Sequence, residues 1–346
     1  MTKRARDAHV DALPFPGLDH IPPKFHPQVK RVISVRPPPS PVEFEGLCAE
    51  FIAGFGPITK AKQLEMSAHV QHLPSKEANP EWLLTRTHRI TGSKVGGIAG
   101  LTPPWQAASD VLRDLIWPHF VANKACEWGT THEDDAEAAL RCYYASLIGT
   151  YPEGTSKLLA FRIENMGAVV NLQESWMAMS PDGLLHLDWE TDTGARVTET
   201  RLIEYKCPYR HRNVTCATTD DLYPLEHIPG SEVMLPIPLY YYAQVQWGML
   251  VFQNDIMGAP PGLKAEFVVW APATGPLRVL SDRDGTRSVL TPRGLIQRCT
   301  VPYNQEFVGS MATTVRNFWH HKYVPAAVLK ERGSLYEGET EVELTI

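Results

Sequence analysis

Nowhere in the 346 residues is there an apolar run near the roughly 20 that a membrane-crossing helix requires. The basic, Pro-rich start also lacks the apolar stretch of a secretory leader. These two absences set the expectation of an intracellular protein that is neither secreted nor held in a membrane. Cysteine is scarce: the six residues, Cys48, Cys126, Cys142, Cys207, Cys216 and Cys299, form no Cys-x-x-Cys pair. That argues against a disulfide framework and a zinc finger and leaves free thiols. Cys207, His211 and Cys216 lie near one another in sequence, but no fourth ligand follows at zinc spacing. The chain has no His-Glu-x-x-His pair either, which disfavours a zinc hydrolase. There is no excess of positive charge. The net charge of −6 argues against indiscriminate binding to nucleic acid, yet it permits an enzyme that concentrates its cations where phosphate passes.

A hydrophobic content of 43% and a charged content of 21% describe an ordinary globular chain long enough for one large domain or two smaller ones. Nine prolines fall within residues 11–41, interspersed with Lys24, Lys30, Arg31 and Arg36. Residues 1–41 therefore read as a flexible, polyproline-like arm or as an irregular extension docked through Phe15, Ile21 and Phe25. The body is expected over 42–330. Residues 331–346, with five glutamates, read as an acidic tail or a terminal edge strand. Within the body, periodicity and caps predict helices over 42–70, 81–87, 91–99, 107–121, 129–144, 240–252 and 304–323. Strands are predicted at about 158–172, 175–187, 196–206 and 263–270. The order is mixed α/β.

The chemistry-bearing pattern lies in the middle. Leu202-Ile203-Glu204-Tyr205-Lys206-Cys207 has the look of a strand, on which Glu204 and Lys206 project from one face, about 7 Å apart at roughly 3.3 Å per residue. Upstream, Ser180-Pro181-Asp182-Gly183 is a natural turn that can present the Asp182 carboxylate at a strand terminus. Two hard oxygen ligands beside a lysine can hold Mg²⁺ and activate a water. Taken singly, a Glu-x-Lys is usually a solvated strand face or a cross-strand ion pair, and Asp-Gly turns are common. Their joint occurrence points to a metal-dependent nuclease site.

Four segments, running from about Trp82 to Trp270, then resemble the YqaJ-type viral recombinase family, which includes the bacteriophage lambda exonuclease, within the PD-(D/E)XK nuclease superfamily. The first is Trp82-Leu83-Leu84-Thr85-Arg86 followed by Arg89-Ile90-Thr91-Gly92-Ser93-Lys94. An Arg and a Ser seven residues later hold the substrate's 5′ phosphate in that family, and Arg86 and Ser93 match them. Arginine's fork and a helix start both suit such an anion; the plainer alternative is a helix cap and a surface arginine. The second is Trp128-Gly129-Thr130-Thr131-His132-Glu133, similar to the family's Gly-x-x-x-Glu helix, which makes Glu133 the third carboxylate. Gly129 reads as a small residue that lets the helix approach the sheet, and His132 as incidental. The third is the Asp182 and Glu204-Tyr205-Lys206 pair itself. The fourth is Tyr240-Tyr241-Tyr242-Ala243-Gln244-Val245-Gln246, whose Tyr241 and Gln244 match a tyrosine and glutamine beside the active site. Plain aromatic packing is the alternative for Tyr241.

The resemblance implies a restriction-endonuclease-like core, a mixed central β-sheet flanked by helices. It implies Mg²⁺, with Mn²⁺ as a substitute, on Asp182, Glu204 and Glu133. Lys206 would orient or deprotonate the attacking water. The expected activity is a 5′→3′ DNA exonuclease working from duplex ends in viral-type recombination and repair. Rival readings are an endonuclease of the same superfamily and a non-catalytic DNA-binding protein on the same fold. Partners implied by resemblance are double-stranded DNA ends, a single-strand annealing protein and further copies of the chain in a ring trimer. Two departures alter loops: Asp188–Ala195 before the Glu-x-Lys strand, and 210–238 before the glutamine helix. Arg210-His211-Arg212 in the latter reads equally as a contact to the DNA backbone and as a solvated basic turn.

Overall fold

The computed structural model describes residues 39–68, 80–102, 106–118, 123–217, 222–228, 234–253, 262–283, 286–333, 335–337 and 342–344. The expectation of a flexible arm falls almost wholly outside them. The chain divides into two compact units, one formed by segments 1–57, 94–120 and 309–346 and the other by 58–93 and 121–308. In chain order, α1 (Pro41–Ala53), α2 (Lys60–Ser67) and α3 (Pro80–Arg86) come first. They are followed by β1 (Ile90–Thr91), α4 (Gly92–Ile98), α5 (Ala108–Ile116) and α6 (Lys124–Leu147). Then come β2 (Lys157–Glu164), β3 (Val169–Val170), β4 (Met177–Met179), β5 (Gly183–Glu190) and β6 (Arg196–Lys206). After the short strands β7 (Glu226–His227) and β8 (Met234–Leu235) comes α7 (Leu239–Phe252). The strands β9 (Lys264–Ala271), β10 (Arg278–Arg283), β11 (Thr286–Thr291) and β12 (Gly294–Pro302) complete the main sheet. Helices α8 (Gln305–Phe318) and α9 (Val324–Glu331) and the hairpin β13 (Leu335–Glu337) and β14 (Val342–Leu344) end the described chain.

In the first unit, α1 starts where the Ser40 Oγ accepts the Glu43 N–H at 3.4 Å. The single helix expected over 42–70 is two helices. Gly54, Gly56 and Pro57 interrupt it, and Thr59 restarts it by accepting the Lys62 N–H at 3.2 Å. The helix expected to close the body at Tyr323 passes through a π turn at Trp319–Tyr323 and continues as α9, whose residues Val324–Leu329 are buried. Phe51, Phe55 and Trp319 pack together, the two phenylalanine rings at 6.4 and 5.7 Å from the tryptophan.

The second unit is built on a seven-stranded mixed sheet in the order β10-β11-β12-β9-β6-β5-β2, flanked by helices. Every neighbouring pair is antiparallel except β6 and β9. A parallel pair needs a crossover, and α7 supplies it between them. The two faces of β6 follow its period of two. Ile203 and Tyr205 join the core with Ala136, Leu140, Tyr143 and Tyr144 of α6, whereas Leu202 and Glu204 face α7. Helix α6 is longer than expected because Asn123 caps it upstream, its Oδ1 accepting the N–H groups of Ala125 and Cys126. A second, three-stranded sheet has the order β1-β4-β3, with β1 parallel to β4.

The meander β10–β12 is an addition to the expected strands. Its last turn needs glycine: Gly294 has φ +146°, and a Cβ there would lie 1.9 Å from the Trp270 Nε1. Gly294→Ala is therefore expected to destabilise the protein by about 3 kcal/mol. A urea melt reads this as a lower midpoint at unchanged slope, and an unshifted midpoint would show that the turn repacks.

Candidate active site

The sheet ends where the chemistry begins. Asp182 stands at the entry to β5, its N–H donating to the Ile203 carbonyl at 3.1 Å. Its Oδ2 accepts the Tyr205 N–H at 2.7 Å, so a carboxylate occupies the place where the β5–β6 ladder would otherwise continue. Two residues on from Leu202 along the α7 face of β6, Glu204 accepts at Oε1 from both the Lys206 ammonium and the Gln244 Nε2, the latter at 2.6 Å. The parallel pairing of Thr91 with Ala178 sets Ser93 alongside the Ser180-Pro181-Asp182 turn. Helix α3 ends just before β1, and its Arg86 donates to the Ser180 Oγ at 2.8 Å and the Thr91 Oγ1 at 3.4 Å while lying 4.3 Å from the centre of the Trp82 ring.

These residues line one cleft of about 180 Å³. Glu133, Asp182, Glu204, Lys206 and Gln244 border it, as do Arg86 and Ser93. Of the expected site residues, seven thus meet at one place. Tyr241 stands just behind: its ring centre lies 4.7 Å from the Lys206 ammonium, and it packs on Tyr240, Tyr223 and Phe267. Packing and proximity to the site, posed as alternatives for this residue, coexist.

Sequence reasoning missed Ser180, Thr91 and Trp82 as cleft residues. Ser180 could have been found, since it abuts Pro181-Asp182; Thr91 and Trp82 carry no signal until Arg86 is placed between them. The close glycine was also misread. A Cβ at Gly129 would meet only the Cys207 carbonyl, at 3.9 Å, an ordinary contact, so α6 does not need glycine there. Gly92 is the tight position, where a Cβ would lie 3.1 Å from Gln244 Cγ and 3.3 Å from its carbonyl oxygen. Arg89 is committed to structure, donating to the carbonyls of Ser175 at 2.6 Å and Thr85 at 2.9 Å. His132, read as incidental, is sandwiched between Trp128 and Trp270 at 4.0 and 4.8 Å.

The electrostatics follow from burial. Glu204, 7% exposed, is pushed up to about 7, first by desolvation; the Lys206 charge pulls it down and the neighbouring Asp182 charge pushes it up again. Lys206 is held well above the ordinary lysine value: burial opposes its charge, but the carboxylates of Glu204 and Asp182 more than offset that. Arg86 is lowered to about 10 by burial. Among the described residues it makes no salt bridge, its hydrogen-bond partners being two hydroxyl groups.

The donor set suits a hard divalent cation, because Asp182 and Glu204 are both less than 10% exposed and the Asp182 charge raises the proton affinity of Glu204, a cost that such an ion relieves. As the side chains stand, no three His, Cys, Asp or Glu residues among those described are gathered closely enough to hold a metal. The hydrogen bonds from Tyr205, Lys206 and Gln244 instead occupy carboxylate oxygens. No helix among the described residues is long and apolar enough to cross a membrane.

The model of YqaJ-like viral recombinase domains matches residues 81–255, half of the chain and every residue of the cleft. The chain belongs to this family. Its core is the mixed sheet with α6 and α7 on its two faces, and family membership supports a DNA nuclease. No curated protein matches the chain. Among solved structures it is similar to a KSHV SOX–RNA complex, at 12% identity and a TM-score of 0.42 over 78% of this chain and 77% of that one. A SOX–DNA complex has 12% identity and a TM-score of 0.39 over 75% and 71%. The Shutoff and Exonuclease Protein from Kaposi's sarcoma associated herpesvirus has 10% identity and a TM-score of 0.39 over 80% and 75%.

Proposed function

We propose that this chain is a metal-dependent DNA exonuclease that hydrolyses phosphodiester bonds from duplex ends in the 5′→3′ direction, in viral-type recombination and repair. The observation that supports it best is the meeting, in one cleft, of three carboxylates, a lysine and an arginine that no carboxylate among the described residues neutralises. Asp182, Glu204 and Glu133 would hold Mg²⁺ or Mn²⁺. Such an ion, when bound, offsets charge on phosphoryl oxygens and acidifies a water.

The chain's own residues account for the rest. Gln244 fixes the Glu204 carboxylate by its 2.6 Å hydrogen bond. Tyr241 supports the Lys206 ammonium from beneath by a cation–π contact. Of the two roles expected of Lys206, orienting the water fits this geometry better than deprotonating it, because an ammonium has no lone pair to accept a proton. It also places a positive charge where the pentacoordinate phosphoryl group becomes more negative. Arg86 offers a planar fork to the terminal 5′ phosphate, with Ser93 beside it. Recognition of that phosphate would select ends over chain interior and so favours an exonuclease over the endonuclease of the same superfamily.

The test is digestion of end-labelled linear duplex, bearing either a 5′ phosphate or a 5′ hydroxyl, against closed circular DNA, in Mg²⁺ and in EDTA. Loss of linear DNA in Mg²⁺ alone, faster with the phosphate, is expected. Cutting of the closed circle would replace this reading with an endonuclease, and no cutting in any divalent metal would replace it with a binding protein.

A further inference from the structure

The turn that follows Lys206 carries a second set of groups, which the catalytic reading does not use. After Cys207-Pro208 the chain makes a single 3₁₀ turn at Tyr209–His211 and ends it at Arg212. Both arginines of this turn are exposed, and each holds its guanidinium over a tyrosine ring. The Arg212 guanidinium is 4.1 Å from the centre of the Tyr209 ring, and that of Arg210 is 4.2 Å from the centre of the Tyr223 ring. Hydrogen bonds hold each: Arg212 donates to the Tyr209 carbonyl at 3.1 Å, and Arg210 to the Leu222 carbonyl at 3.1 Å and to the His211 Nε2 at 3.2 Å. No salt bridge is made by either among the described residues. An exposed arginine in an acidic chain would ordinarily find a carboxylate, so two that instead lie on aromatic rings are presented to solvent as planar cations.

The rings beneath are anchored to the active site. Tyr209 meets Trp128 edge-on at 6.1 Å, and Trp128 lies on α6 five residues before Glu133. Tyr223 meets Tyr241 edge-on at 6.1 Å, and Tyr241 supports Lys206. Two chains of aromatic contacts thus run from beside the cleft to the surface, each ending in an exposed guanidinium.

We infer that Arg210 and Arg212, on Tyr223 and Tyr209, form a stacking platform for unpaired bases of a nucleic-acid strand adjoining the cleft. A guanidinium plane on an aromatic ring presents a flat cationic surface to a base, while its N–H edge can bond a phosphate. Within a duplex each base face is covered by its neighbours, so only an unpaired base can use such a surface. The platform rests on the nuclease reading for its biological purpose, which is to hold strand that has been separated beside the active site. Its chemistry does not depend on cleavage.

The test is equilibrium binding, in EDTA so that nothing is cut, of the full-length chain to three labelled probes: oligo(dT), an abasic oligonucleotide of the same length, and a duplex closed by hairpins at both ends. Wild type is expected to bind oligo(dT) roughly tenfold more tightly than the abasic probe, the worth of about one base stack. Arg212→Lys and Arg210→Lys keep the charge and lose the plane, and each is expected to remove most of that preference while leaving affinity for the abasic probe within about twofold. Equal binding of oligo(dT) and the abasic probe by wild type, or lysine variants that retain the preference, would overturn the platform. Because the arginines are exposed, the variants should melt with the wild type. A chain that binds in this manner yet cuts nothing in Mg²⁺ would overturn the nuclease reading and leave the platform standing.

Discussion

Lys206→Ala is expected to lower the rate of DNA hydrolysis at saturating substrate by about 10³-fold, the scale of a lost charge-stabilising or water-orienting group, while binding of duplex ends changes little. The effect lies in turnover because Lys206 is held by Glu204 and Tyr241 at the rim of the carboxylates rather than beside Arg86. Lys206→Arg would restore the charge but not the compact ammonium that fits over the Tyr241 ring, so partial recovery at most is expected. The alanine variant should fold. Without the ammonium, Glu204 loses the main influence that lowers its proton affinity and is carried neutral, with Gln244 still donating to it. The raised Glu204 also fixes the sign of the pH dependence. A divalent ion must displace a proton there as pH falls below about 7, so the Mg²⁺ concentration for half-maximal rate should rise on going from pH 8 to pH 6. A Mg²⁺ requirement that does not vary over that range would remove Glu204 from the ligand set. Full activity in Lys206→Ala would remove Lys206 from the chemistry.

The sequence made the Glu-x-Lys strand legible because the relevant residues are two apart on one element. A period of two puts Glu204 and Lys206 on one face whatever else the fold does, and Pro181 and Gly183 mark Asp182 as a turn residue. Arg86 and Ser93 could be paired only through the family resemblance, since what brings them to the cleft is the pairing of two-residue β1 with three-residue β4, elements too short to have a periodic signal. The buried charges were invisible for a related reason. Arg201, with no exposed surface, bonds to Glu153 and Glu199 and to Glu266 of β9, and Arg298 of β12 bonds to the same Glu266. Each residue alone reads as an ordinary strand-surface charge, and only the β6-β9-β12 order brings them together. The β10–β12 meander, by contrast, carried usable signals that went unread: the turn-favouring sequences Asp284-Gly285 and Pro292-Arg293-Gly294 flank the alternating segment between them.

Arg86→Met is expected to reduce kcat/KM on 5′-phosphorylated ends by roughly 10- to 100-fold, the value of one or two charge-assisted hydrogen bonds, and to leave 5′-hydroxyl ends nearly unchanged. The preference for phosphate should therefore collapse toward unity. The physical basis is the imbalance around this guanidinium. It is half-buried against Trp82, its hydrogen bonds go to the neutral hydroxyls of Ser180 and Thr91, and desolvation lowers its pKa to about 10, still fully charged at neutral pH. A group whose folded pKa is depressed in its cationic form costs the folded state stability near pH 7 and ceases to do so only as pH rises above that folded value. Replacing it with an apolar side chain of similar length should therefore leave the melting temperature equal or higher even as phosphate recognition is lost, the mark of a residue kept for binding at the expense of the fold. Ser180→Ala separates the two contributions. It removes the hydroxyl that positions Arg86 without removing the charge, so it should blunt the phosphate preference by less than Arg86→Met does. If Arg86→Met instead lowers the melting temperature and impairs both kinds of end alike, the guanidinium is a structural strut between α3 and the Asp182 turn, and the 5′ phosphate must be recognised elsewhere.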